Sequence, residues 1–133
     1  GRRWMHVTGI TPMLGAGPRA AWSAALRAAH GSSVQVFLDL NHRPALGDFE
    51  ELWELVAAHL PCVALLMLSE TDLVRLGKRF GVMNTNDEAL LQGDASLSLL
   101  LAELRRRLRV PLLGCTFKRP LGAGGAATAG GGA

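Results

Sequence analysis

Tyrosine is absent from this sequence, aromatic residues make up 5% of it, and there are two cysteines. So few aromatics leave the core to Leu, Val and Ala. They also argue against a nucleic-acid surface, which interleaves aromatics with a broad basic face. The net charge is +3, and the basic residues are bunched at Arg2-Arg3, at Arg105-Arg106-Arg107-Arg109 and at Lys118-Arg119. Cys62 and Cys115 lie far apart with no CxxC or Cys/His ligand spacing, so a metal site has no sequence support. Two buried, reduced thiols of an intracellular protein are expected instead. No apolar run approaches the ~20 residues that span a bilayer, so no membrane segment is expected. Nor does the start resemble a signal peptide. Gly1-Arg2-Arg3 leads directly into strand-like sequence, as expected of a piece cut from something longer.

What is present is an alternation. Residues 4–7 form a short apolar run ended by Thr8-Gly9. A helix follows from about Pro18, with Ala21, Trp22, Ala25, Leu26 and Ala29 at helical spacing until His30-Gly31. Residues 34–38 read as a second strand. Asp48-x-x-Glu51 then opens a helix carrying Leu52, Leu55, Val56 and Leu60. Residues 63–68 read as a third strand, and Ser69-x-x-Asp72 opens another helix. Asn84 to Asp87 is a polar break before the apolar Ala89, Leu90 and Leu91. A longer helix is expected over about 95–109, with its arginines at the negative end of the dipole, and a fourth strand over 110–117. This order predicts an α/β fold with a parallel sheet and helices on both faces.

In such sheets ligands bind outside the carboxyl ends of the strands. The four predicted strands end in Thr8-Gly9, in Asp39-Leu40-Asn41-His42-Arg43, in Ser69-Glu70 and in Lys118-Arg119. All four ends are polar after apolar strand bodies, which suits an anionic, hydroxylated ligand. Arg43 offers a planar fork for a carboxylate or phosphate. Asn41 can exchange hydrogen bonds with a sugar hydroxyl, and Asp39 and Glu70 can face the water shell of Mg²⁺. Each has a plainer reading beside it. Asp39 is as well explained by capping the turn after its strand, and Ser69 with Asp72 by opening a helix. His42 reads as a packing or loop residue, since no nucleophile is paired with it. His6, His30 and His59 read as structural or exposed, and the 105–109 arginines as a solvated helix end.

Three stretches, WMHVTGITPML, VQVFLDLNHRPALGDFEELW and LLMLSETDLVRLG, resemble the middle of PfkB (ribokinase-like) carbohydrate kinases, most of all 2-keto-3-deoxygluconate kinases. The matching elements are the turn at His6–Ile10, the D-x-N-x-R-P strand end at Asp39, Asn41, Arg43 and Pro44 with Trp53 following, and Ser69 to Asp72 where the family has N-x-x-E. The likeness is clear over about residues 3–77. It implies a ribokinase-like, Rossmann-like three-layer fold, here incomplete, and ATP-dependent phosphorylation of a sugar or keto-deoxy sugar acid with Mg²⁺. It assigns substrate binding to Arg43, Asn41 and Asp39, and phosphate and magnesium tuning, in degenerate form, to Ser69, Glu70 and Asp72. The implied partners are the sugar and ATP, with a homodimer in the full-length family and a cytoplasmic or plastid location.

The resemblance also implies a catalytic aspartate in a G-A-G-D segment, and here Gly122-Ala123-Gly124-Gly125 has glycine in its place. In Gly/Ala low-complexity sequence that string reads as coincidence, so no catalytic base is visible. The expected organisation is a partial kinase domain over 1–120 and a disordered Gly/Ala tail over 121–133. A truncated or inactive kinase piece is the first reading. A degenerate, non-catalytic paralogue that binds a sugar, a nucleotide or another protein is the second. An unrelated Rossmann-like binding domain ranks last, because no G-x-G-x-x-G or Walker loop follows any strand.

Overall fold

The computed structural model describes residues 2–83, 94–117 and 126–130. The polar break at Asn84 to Asp87, the apolar Ala89 to Leu91, Lys118-Arg119 and Gly122 to Gly125 lie outside the described residues. The chain has an α/β fold and divides into two compact units, Gly1–Leu66 and Met67–Ala133.

In the first unit, strand β1 (Arg3–Thr8) leads through helix α1 (Ala16–His30) to strand β2 (Val34–Asp39). The two strands pair in parallel from Arg3↔Val34 to Thr8↔Asp39. Helix α2 (Phe49–Ala57) and the 3-10 turn Leu60–Cys62 then lead into β3 (Leu65–Ser69), which runs on across the boundary. That turn, with Pro61 in it, starts the third strand two residues later than the apolar run suggested. The residue just before β3 already joins the pairing, because the Ala64 N–H donates to the Val36 carbonyl at 2.9 Å.

Burial alternates along β2. Val36 and Leu38 are fully buried on the face against which α1 packs Trp22, Leu26 and Ala29. The other face carries Gln35 and Phe37 with Trp4 and His6 beside them, and His6 stacks on Phe37 at 4.5 Å. Trp4 is 50% exposed there. Within this unit the face that carries Trp4 and His6 is part-exposed.

In the second unit, α3 (Glu70–Arg79) and α4 (Asp94–Leu108) both pack on β4 (Leu112–Thr116). Leu113 and Cys115 are buried, while Leu112 and Thr116 on the opposite face are exposed. Arg109, in the left-handed conformation at φ 59°, ends α4. The arginines before it do more than meet solvent. Arg105 donates to the Val110 carbonyl at 3.2 Å and Arg107 to the Phe80 carbonyl at 2.8 Å. Arg106 and Arg107 both pair with Glu103.

Ala126–Gly130, within the segment expected to be disordered, forms β5 and pairs antiparallel with β4 from Leu112↔Gly130 to Thr116↔Ala126. Gly and Ala have little strand propensity. Backbone hydrogen bonding to an otherwise open strand edge is a local gain that composition does not reveal.

A polar cluster ties α1 to the chain ahead of β3. Arg27 donates to Ser23 Oγ at 2.7 Å, and Ser23 Oγ lies 2.9 Å from His59 Nε2. The His59 ring meets Trp22 edge-on at 5.3 Å. Burial first, and then the Arg27 charge, hold the His59 pKa below its ordinary 6.5. The folded state therefore binds fewer protons than the unfolded chain just below pH 6.5. The stabilising contribution is complete above that pH and is lost as pH falls from 6.5 through the folded-state value. Urea unfolding between pH 8 and pH 5 should show wild type losing more stability than His59→Gln. Parallel pH curves for the two proteins would contradict this.

Candidate functional site

In the first unit the carboxyl ends of β1 and β2 meet in a tightly specified turn. Thr8 Oγ1 accepts from the Ile10 N–H at 3.2 Å, and the Gly9 N–H donates to the Asp39 carbonyl at 2.9 Å. A Cβ on Gly9 would run into the Leu40 carbonyl oxygen and press on the Leu52 side chain. Only glycine lets the two backbones come this close. Leu40 is fully buried at this point. The chain then turns sharply, with Asn41 in the left-handed region at φ 44°. Asparagine tolerates that conformation better than most residues.

Arg43 follows in extended backbone (φ −119°, ψ 107°), as a residue before proline prefers, and its side chain is exposed. Pro44–Leu46 forms a 3-10 turn closed by the Leu46 N–H on the Arg43 carbonyl at 2.9 Å. Gly47 comes next at φ 153°, where a Cβ would meet the Met13 methyl and the Glu51 carboxylate. Asp48 caps α2 by accepting from the Glu51 N–H at 2.8 Å, the capping arrangement that the sequence predicts. Asp39, Asn41 and Arg43 are thus brought together at one strand end, with Asp39 and Asn41 half-buried and Arg43 open to solvent.

His42 is a loop residue, as expected, but a heavily used one. Its Nε2 lies 2.9 Å from the Gly47 carbonyl, and its ring meets Phe49 edge-on at 5.7 Å. Phe49 in turn stacks parallel on the buried Trp53 at 6.5 Å. Sequence reasoning passed over these contacts. The only available cue was the spacing of His42, Gly47, Phe49 and Trp53 around a turn.

In the second unit Ser69 caps α3, its Oγ accepting from the Asp72 N–H at 3.1 Å. This is the structural role that the sequence offered for it. Asp72 is buried, and its carboxylate lies 3.9 Å from Arg75. Glu70 is half-buried. Cys115, fully buried at the end of β4, has its thiol pKa pushed up to about 12, by burial first and then by the Glu70 and Asp72 carboxylates. Two acidic groups therefore lie within electrostatic reach of this strand end. Among the described residues no three His, Cys, Asp or Glu side chains gather as metal ligands. The residues do not fit a magnesium ion caged by protein.

No family model matches the chain. Solved structures do. A 2-dehydro-3-deoxygluconokinase from Thermotoga maritima matches at 27% identity and TM-score 0.72, over 90% of this chain and 34% of that one. A PfkB family carbohydrate kinase from Listeria grayi matches at 18% and 0.69, over 98% and 38%. An aminoimidazole riboside kinase from Salmonella enterica, solved with aminoimidazole riboside and an ATP analogue, matches at 19% and 0.57, over 86% and 34%. The structural neighbours are thus PfkB-type carbohydrate kinases, and this chain shares their α/β fold while spanning about a third of their length.

Cys62 is half-buried rather than buried, and both cysteines are free thiols. Reaction with a chromogenic disulfide at pH 8 should therefore modify Cys62 alone in the folded protein, with Cys115 reacting only in denaturant. Equal rates for the two thiols in the native state would overturn the buried, acid-flanked placement of Cys115.

Proposed function

We propose that this chain is the substrate-rim section of a carbohydrate kinase that phosphorylates a sugar or keto-deoxy sugar acid, and that it is catalytically inert by itself. The observation that carries this reading is the end of β2. Asp39, a left-handed Asn41 and an exposed Arg43 follow one another at the place where a parallel sheet receives its ligand. The 27% identity to a 2-dehydro-3-deoxygluconokinase favours an acidic sugar as the ligand. In this reading Arg43 takes the sugar carboxylate as a bidentate partner and Asn41 a hydroxyl. Asp39 sets the opposite side of the same turn.

Phosphoryl transfer depends on positioning and on charge stabilisation, and ATP with Mg²⁺ would supply the phosphoryl group and neutralise its charge. Glu70 can at most face the water shell of such an ion. Ser69 and Asp72 serve helix α3, in place of the metal tuning that the family motif implies. In this reading no residue of the chain serves as the catalytic base, and the whole reaction draws on groups outside it.

A second reading is a non-catalytic sugar- or partner-binding protein. It is favoured by Asp72, which is buried against its own helix where a metal-tuning carboxylate would need access. The coding region separates the two readings: a downstream G-A-G-D segment supports the kinase, and a stop codon after the Gly/Ala stretch supports the second.

Two outcomes are expected in solution. Incubation with ATP, Mg²⁺ and a panel of sugar acids should give no turnover above background, and brisk turnover would refute the missing base. Arg43→Ala should weaken sugar-acid binding about 10- to 100-fold, the worth of one charged hydrogen-bond pair, with little change in melting temperature. Equal affinities by calorimetry would remove Arg43 from the site.

A further inference from the structure

We infer that His42 is the positioning residue of this strand end: it holds the turn in the one conformation that presents Asn41 and Arg43 together. The inference rests on the reading of Asn41 and Arg43 as ligand-binding groups.

The turn from Asp39 to Asp48 leaves a strand and must enter a helix within eight intervening residues. Its entry is fixed by backbone, through the Gly9 N–H on the Asp39 carbonyl and the close contact of Gly9 with Leu40. Its exit is fixed by the Asp48 cap on Glu51. Between these anchors the chain passes through a left-handed Asn41 and an extended Arg43 before the 3-10 turn at Pro44–Leu46 takes up backbone bonds, the first of them on the Arg43 carbonyl. Asparagine tolerates left-handed backbone better than most residues but does not prefer it to the right-handed region, so the turn is not fixed by residue type alone. Something must therefore hold it.

The contact that spans this stretch is His42 Nε2 to the Gly47 carbonyl, five residues on, at 2.9 Å. A carbonyl oxygen can only accept, so Nε2 carries the proton and donates. The bond closes the turn across Pro44–Leu46, with Arg43 inside the closed ring and Asn41 immediately before it. The Phe49 ring, edge-on to the imidazole and backed by Trp53, fixes the ring plane. Gly47 can lie this close to Met13 and Glu51 only because it lacks a Cβ. Both of these partners of His42 are thus themselves held, and a group held at 2.9 Å to a rigid acceptor can transmit that rigidity to its neighbours on both sides.

A purely structural histidine would affect stability alone. A positioning histidine must also change ligand affinity, and a side chain that supplies the same donor must restore it. The 133-residue chain would be prepared as wild type, His42→Leu and His42→Gln, since the glutamine amide can place an N–H near the Nε2 position. Calorimetry with 2-dehydro-3-deoxygluconate should show affinity about tenfold or more weaker for His42→Leu, with His42→Gln within about threefold of wild type. Amide exchange at Leu46 and Gly47 should accelerate in His42→Leu, and the Asn41 carbon shifts should lose their left-handed signature. His42→Gln should keep both near wild type. Unchanged affinity in His42→Leu would overturn the inference, even with faster exchange, because it would make His42 a structural residue only. Unchanged exchange and shifts would overturn it too. If wild type fails to bind the acid, the functional reading of the turn falls. The exchange and shift data then decide by themselves whether His42 fixes the turn.

Discussion

The contact between the Gly9 backbone and the Leu40 carbonyl is the constraint on which the candidate site depends. Parallel strands β1 and β2 could diverge after their last ladder pair. Instead, the Gly9 N–H extends the pairing to the Asp39 carbonyl, and the absence of a Cβ lets the next peptide approach within contact. Leu40 is thereby driven fully under the surface. Asn41 is the first residue free to turn outward, and the side chains that follow it emerge at the strand end rather than beyond it.

Two kinds of interaction divide the labour in this chain. Apolar burial fixes the elements: Val36 and Leu38 against α1, and Leu113 and Cys115 beneath α3 and α4. Polar contacts fix what happens between them. Ser69 and Asp48 start helices, Arg105 and Arg107 donate to carbonyls just past the ends of α4 and α3, and the Ser23–His59 pair ties a helix to the connection that precedes β3. The first kind is non-directional and tolerant of exchange among similar side chains. The second depends on geometry of a few tenths of an ångström.

This division explains what could be read from the sequence. Strand bodies, helix faces and caps were legible because each is written in local periodicity or in a three-residue spacing, as with Asp48 and Glu51. The polar strand end at Asp39, Asn41 and Arg43 was legible because its chemistry contrasts with the apolar run before it. Other features were not. The donor role of His42 toward Gly47 exists only once the turn has formed, and the late start of β3 follows from the 3-10 turn at Leu60–Cys62. The acidic surroundings of Cys115 come from α3, more than forty residues earlier in the chain.

Strand β5 has one more implication. Strands normally find their register because a slip of one residue would turn buried side chains outward. Ala126–Gly130 reads AATAG, with almost no side-chain information to penalise such a slip. Its pairing with β4 is specified by main-chain hydrogen bonds that any extended peptide can offer. It therefore works as an interchangeable seal: it covers the edge of β4 without the means to recognise it, so a competing strand with real side-chain complementarity would displace it at small cost.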